Sequence, residues 1–405
     1  MRSNGRARLG IIFFTILINM VGFGVVIPVL PFYAERFGAT PAQIGWLFGI
    51  FSLAQFLFAP LFGSLSDRFG RRPVLLVSTL GTAAGFVIMG AGQTLTMLFI
   101  GRLVDGISGG SIGTAQAYVA DITTPEDRPK AMGLLGAAFG LGFILGPALG
   151  GWAAASFGHS APLFVAGGMA LANAVLIAFL LPESLPPEHR GKRDREPLFP
   201  GLLRHVRRGP YLTSVATYFI LITGFSVMTA VFALFVANRH QFDEKQTGYL
   251  FAYLGVIAVF IQGGLIGKTV KVFGEGRVAA AGAGLLAAGL FLAPLASGLA
   301  ALLFYCALIA AGNSLLTPTL QGIASQCVDA EWQGRALGVL QSAGSLARWI
   351  GPVLGGVLLQ MDLARPAIDY ARTPFWVAAG LLVVTFALCL RLPARAAALQ
   401  ARGEG

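Results

Sequence analysis

Arg102 and Asp105 lie three positions apart inside an otherwise apolar stretch. On a helix that spacing puts them on one face, within reach of each other. Asp105 is the one carboxylate that the hydropathy pattern places well inside such a stretch, which makes it a candidate for holding a proton or meeting a substrate. Neutralising Arg102 is an equally direct use, because either charge alone in hydrocarbon costs about 2.5–3.5 kcal/mol on an insertion scale. Asn19, Gln55, Gln116, Asn313, Gln321 and Arg348 also fall within apolar runs. Such residues line a polar path for a small molecule or tie one helix to its neighbour by hydrogen bonds. Arg348 has no acid near it in sequence, so it serves either as a structural group or as a contact for an anion. A denser charge pattern stands between two apolar runs: Gly63, Asp67, Arg68, Gly70, Arg71 and Arg72.

These residues have to be positioned by membrane-crossing helices. The chain of 405 residues is 56% hydrophobic and 12% charged, with 31 Phe and 54 Gly, too little charge to cover a water-soluble protein of this size. Apolar runs of about 20 residues recur throughout, each long enough to cross a bilayer. The net charge of +11 does not imply nucleic acid, because Lys and Arg collect in alternate loops as the positive-inside rule requires. The N-terminus, with Arg2, Arg6 and Arg8, and the C-terminus are thereby expected on the cytoplasmic face. The odd number of cysteines, 3, and the 4 scattered histidines indicate neither a disulfide framework nor a metal site. No cofactor is expected. No nucleophile, base and acid converge at catalytic spacing, so the chain does not read as an enzyme. Nothing in it has the form of a channel's selectivity filter.

The chain order predicts spans at about 9–32, 41–62, 74–92, 96–120 and 131–154, with a sixth ending at Leu181. Residues 63–73 are expected to form a tight cytoplasmic turn, in which Gly63 and Gly70 supply close approach and unusual backbone angles. Asp121 opens an acidic loop, 121–128, expected to meet the arginines of that turn. Residues 185–209 read as a cytoplasmic linker rich in proline and basic side chains. Further spans begin near Tyr211, Thr247, Arg277 and Pro374, with one at 334–360 and one carrying Asn313, Thr317, Pro318 and Gln321.

The two halves repeat. Gly351 to Gly356 (Gly-Pro-Val-Leu-Gly-Gly) matches Gly146 to Gly151 at an offset of 205, as Gln321 matches Gln116; Gly267, Phe273 and Gly274 match Gly63, Phe69 and Gly70 at 204. The expected architecture is therefore an all-α polytopic membrane protein with twelve transmembrane helices in two pseudo-symmetric six-helix bundles, 1–184 and 210–405. The copies differ in charge: Asp67 becomes Lys271, and Arg102 and Asp105 become Ala307 and Ala310.

The pattern Gly-x-Leu-x-Asp-Arg-x-Gly-Arg-Arg, from Gly63 to Arg72, resembles the loop signature of the major facilitator superfamily. Gly-x-x-x-Gly-Pro-x-x-Gly-Gly, comprising Gly142, Gly146, Pro147, Gly150 and Gly151, resembles its antiporter motif. Residues 22–31, 59–61, 117–123 and 140–151 look like the tetracycline-resistance type of drug/proton antiporter. The resemblance implies a monomeric secondary transporter of the plasma (inner) membrane that exports small amphipathic or drug-like molecules by alternating access. Protons would be the coupling ion, membrane lipid the surroundings, and no nucleic acid is involved. It also implies a cytoplasmic gate around Asp67, Arg68, Arg71, Arg72 and Asp121. The tetracycline exporters have carboxylates in spans one, three and nine, where this chain has Asn19, Gly85 and no acid between Arg277 and Ser297. Glu183-Ser184 resembles part of a sugar-carrier motif, so uptake or facilitated transport of a small polar metabolite or sugar stands as the alternative.

Overall fold

The computed structural model describes residues 3–124, 127–190, 209–328, 332–366 and 369–392. All regular structure among them is helical. Twelve long helices follow in order: α1 (Ser3–Glu35), α2 (Pro41–Phe69), α3 (Arg71–Gly90), α4 (Leu95–Ile122), α5 (Arg128–Phe157) and α6 (Ala161–Leu180), then α7 (Gly209–His240), α8 (Glu244–Phe273), α9 (Glu275–Leu292), α10 (Leu299–Gln326), α11 (Gln333–Asp362) and α12 (Arg372–Cys389). Eleven are long and apolar enough to cross a membrane. The exception, α11, has 30 residues but is interrupted by Gln341, Ser342, Ser345 and Arg348 and falls short on apolarity. Large apolar side chains remain outward, among them Phe179 at 81% exposure and Phe260 at 75%. That surface suits lipid and would aggregate in water.

Local sequence sets the helix ends. Thr40 caps α2 by accepting from Gln43 N at 3.3 Å, while its own N–H donates to Gln43 Oε1 at 2.8 Å and Pro41 occupies the first turn. The turn expected over 63–73 is far shorter than predicted, since α2 continues to Phe69 and α3 starts at Arg71. Gly70 alone makes the reversal, at φ 106° and ψ 161°, a region that essentially only glycine occupies. Gly63 is helical and a Cβ there would meet nothing, so the special backbone role expected for it is not present. At the repeat position Gly274 makes the same one-residue reversal between α8 and α9, at φ 81° and ψ 154°.

Two compact units are present. One comprises Met1–Asp194 with Gln241–Gly255, the other Arg195–His240 with Val256–Gly405. In the first, α1 packs along α5 and α6, and α3 along α4 and α6. In the second, α7 packs along α11 and α12, and α9 along α10 and α12. The duplication is thus visible helix by helix: α5 and α11 are each 30 residues long, and both their ends differ by 205 (333 against 128, 362 against 157). Most of the linker expected at 185–209, and Pro125 and Glu126 of the acidic loop, lie outside the described residues. The part of the linker that is described includes a short 3₁₀ turn at Pro187–His189.

Candidate functional site

The loop signature builds a largely buried ion-pair network at the α2–α3 reversal. Arg71 is 1% exposed. Its Nη1 pairs with Asp67 Oδ1 at 2.7 Å, in the last turn of α2 across the reversal, and donates to Ser66 Oγ at 2.6 Å. Its Nε reaches Asp121 Oδ2 at the end of α4, 3.1 Å away. Nη2 is buried with no partner among the described residues. Arg72 turns the other way and donates to the carbonyl of Ala178 in α6. Arg68 is exposed and its guanidinium lies 5.4 Å from the centre of the Phe69 ring.

Glu183, just past α6, completes the corner. Its Oε1 accepts from the backbone N–H of Arg71 at 2.8 Å and its Oε2 from that of Arg72 at 3.2 Å. These are unsatisfied donors of the first turn of α3, where the helix dipole also favours a carboxylate. Oε1 also accepts from the N–H groups of Ser184 and Leu185, each at 3.0 Å, and Ser184 Oγ donates to Asp121 Oδ2 at 3.1 Å. Gly70 makes this approach possible, because a Cβ there would collide with the Glu183 carboxylate. The loop signature contained Asp67 and Arg71, and the acidic-loop reading brought in Asp121; Glu183 was missed as a partner.

Arg102 and Asp105 form the second cluster, 1% and 4% exposed. Arg102 Nη1 pairs with Asp105 Oδ2 at 3.2 Å, and Nε donates to the Leu47 carbonyl of α2 at 3.1 Å. The guanidinium stacks over Phe51, 4.4 Å from the ring centre. Gly85 of α3 fits against Asp105 so closely that a Cβ there would stand 2.9 Å from the Cβ of Asp105 and 2.8 Å from the Gly101 carbonyl. The pair thus sits where α2, α3 and α4 meet, and the space beside Gly85 holds no further side chain.

A 3₁₀ turn, Gly109–Ser111, interrupts α4 just past this pair. Two neighbours hydrogen-bond to the carbonyls there: Ser78 Oγ donates to Ser108 O at 2.5 Å and Gln55 Nε2 to Gly109 O at 3.0 Å. The structure gives Gln55 this bond and leaves Gln116 exposed on α4. Asn19 accepts from Asn173 Nδ2 of α6 at 3.1 Å, and the same amide group donates to the Thr15 carbonyl at 3.1 Å. Asn173 is fully buried and was missed; an amide within an apolar run was the available signal.

The antiporter motif is a packing surface. A Cβ on Gly146 would lie 2.6 Å from the Val21 carbonyl and 2.7 Å from the Gly24 Cα, so α5 and α1 touch backbone to backbone around Pro147. Gly150 and Gly142 continue the same line against Val25 and Met20, while Gly151 faces the backbone of Glu244 and Lys245 at the start of α8. In the second unit Gly351 of α11 meets Thr223 O and Ser226 Cβ of α7, each 2.7 Å from a built Cβ.

That unit gathers three of the remaining candidates. Asn313 Oδ1 accepts from Thr317 Oγ1 at 3.0 Å on α10. Two turns further on, Gln321 Nε2 donates to the Tyr218 hydroxyl of α7 at 3.3 Å. Arg348 Nη2 donates to Ser345 Oγ at 3.1 Å, and its guanidinium and Tyr218 both lie against Gly344. No sequence signal marked Tyr218.

The model of the Major Facilitator Superfamily matches residues 12–348 and 263–405 of the chain. The tetracycline resistance protein, class C, of Escherichia coli is 34% identical over 87% of this chain and 89% of its own length. Multidrug resistance protein 2 of Bacillus subtilis (strain 168) is 31% identical over 91% and 92%. Among solved structures, the human organic anion transporter MFSD10 (TETRAN) superposes with a TM-score of 0.71 at 25% identity, covering 95% of this chain and 99% of that one. An inward-facing bacterial homologue of the human lysosomal transporter Spinster gives 0.81 at 15% identity over 97% of each chain, a likeness of fold alone. The motif residues, the duplicated helices and these matches together place the chain in the Major Facilitator Superfamily, as a multi-pass membrane transporter of small molecules and not an enzyme.

Proposed function

We propose that this chain is a monomeric proton-coupled exporter of small amphipathic, drug-like molecules in the plasma (inner) membrane, with both termini cytoplasmic, working by alternating access. The observation that carries the reading is the buried network centred on Arg71. Ion pairs at a water boundary are weak when wet and stronger when dry, so such a corner biases two packings of similar energy. In this reading Asp67, Arg68, Arg71, Arg72 and Asp121 gate the cytoplasmic side, with Glu183 bracing them. Support comes from the tetracycline-resistance and multidrug-resistance relatives, which the chain matches over most of their length. Resistance to toxic compounds is then the expected cellular consequence. Gly85, pressed against Asp105, weighs against tetracycline itself, because the span-three carboxylate of those exporters has no room here.

The proton site proposed is Asp105. Its carboxylate is the only one placed deep within the described spans of the first unit, and protonating it would take away the counter-charge of Arg102, whose guanidinium also bonds the Leu47 carbonyl of α2. Proteoliposomes with an imposed pH gradient test this with ethidium as the probe. Gradient-driven transport is expected in the parent chain and is lost in Asp105→Asn; undiminished coupling in the variant removes Asp105 from the mechanism. Inside-out vesicles decide direction, since accumulation of the dye means export and its depletion means uptake.

A further inference from the structure

Arg348 lies deep within α11, fifteen residues after Gln333 and fourteen before Asp362, roughly 20 Å of helix from either end. Among the described residues, the groups placed beside it are neutral dipoles: Ser345 on its own helix, and Tyr218 on α7, which also accepts from Gln321 of α10. Gly344 lies against both groups, since a Cβ there would stand 3.0 Å from the Tyr218 ring and 3.4 Å from Arg348 Nη1. The three described carboxylates of this unit are engaged elsewhere. Asp362 holds Arg365 and Thr373, Asp369 pairs with Arg372, and Glu275 accepts from Gln326.

The contrast with the first unit is direct. There the deep arginine, Arg102, has its own counter-charge in Asp105 at 3.2 Å. Those two positions are Ala307 and Ala310 in the second half, while the counterpart of Arg348 in α5, 205 residues earlier, is Phe143. Duplication therefore did not supply Arg348; it stands alone in its half. A guanidinium held deep in a span without a counter-charge is costly, and a planar five-donor fork is the group best shaped to take two oxygens at once.

We propose that Arg348, with Tyr218, Gln321 and Ser345, forms an anion-binding subsite that takes the carboxylate of those transported molecules that carry one. Its ligands are small amphipathic monocarboxylates, whose apolar body fits the surrounding helices while the acid group supplies the missing counter-charge. This deepens the transporter reading above and rests on the chain having a small-molecule substrate.

The test is equilibrium binding to the purified full chain in detergent, read by tryptophan fluorescence. Three matched pairs serve as probes: 1-naphthylacetate, indole-3-acetate and decanoate, each against its primary amide. At least one acid is expected to bind about tenfold more tightly than its amide. In Arg348→Gln the difference falls below about twofold while the unfolding midpoint holds or rises; Arg348→Lys keeps part of the preference. Equal affinity within every pair, no binding of any acid, or a preference that survives Arg348→Gln overturns the proposal. Should Arg348→Gln not fold, Tyr218→Phe replaces it. That variant is expected to weaken the acid severalfold and leave the amide unchanged, and unaltered acid binding overturns the proposal. No gradient is applied, so acid-selective binding without pH-driven export would sink the export reading and leave this one standing.

Discussion

Gly70 and Gly63 occupy the same loop signature yet do different things, and single substitutions separate them. Alanine at 70 must adopt φ 106°, ψ 161° and also push aside Glu183, so Gly70→Ala is expected to cost about 1–3 kcal/mol and to disturb the α2–α3 corner. Gly63→Ala sits in open helix and should be neutral or slightly stabilising, within about 1 kcal/mol. Unfolding midpoints in detergent check both, and equal losses would mean that the reversal does not depend on Gly70. Asp105→Asn leaves Arg102 buried with no full counter-charge, which predicts a loss of about 3–5 kcal/mol, largely recovered when Arg102 is replaced by methionine in the same chain. A double-mutant cycle on the same midpoints checks it; additive losses would show that the two side chains are not coupled. At this scale the sequence was readable where spacing alone decides contact. Arg102 and Asp105 lie one turn apart on one helix and do pair, whereas Asp67 and Arg71 meet across the Gly70 reversal, as the family resemblance implied. Partners brought in from other helices, such as Glu183, Asn173 and Tyr218, leave no periodic trace, because their pairing depends on how the spans pack.

Helix boundaries were legible from apolar run length, and the duplication from Gly-Pro spacing, but the length of the α2–α3 connection was not. Residues 63–69 are polar and charged, which reads as loop in a membrane chain, yet they continue α2 because nothing in them breaks a helix before Gly70. Arg71 then begins α3 beside the last turn of α2, which carries Asp67, and a longer loop would not ensure that approach. Glycines of the antiporter motif act at this scale as well. Gly146 faces backbone atoms of α1, which cannot swing away as a side chain can, so Gly146→Val should abolish accumulation of folded protein. Gly338→Ala on α11 serves as the control, because a Cβ there meets nothing. Size-exclusion profiles of the two variants read the outcome, and a well-folded Gly146→Val protein would contradict the close α1–α5 contact. Polar interruptions need helpers: the 3₁₀ turn in α4 is tolerated in an apolar setting because Gln55 and Ser78 reach its carbonyls.

Across the whole chain, the two copies of one helix plan keep their packing glycines and diverge in their charges. Gly70 and Gly274 make the same reversal, and Gly146 and Gly351 the same close approach, while of the arginines deep within helices Arg102, paired with Asp105, belongs to the first half and Arg348, with no acid beside it among the described residues, to the second. Packing must be preserved in both copies for either to fold, whereas ionic chemistry is needed once, and this division is what a duplicated transporter with one coupling site would show. The central claim is that the halves open alternately to the two faces of the membrane. Spin-label distances in a cysteine-substituted chain test it directly, with one pair at Ser64 and Lys268, repeat-related positions near the α2–α3 and α8–α9 reversals, and one at Gln93 and Ser297, exposed positions in the loops that follow α3 and α9. On shifting pH from 8 to 5 in lipid nanodiscs, the account predicts that one pair lengthens as the other shortens; two distances that stay fixed, or that change in the same direction, would contradict it.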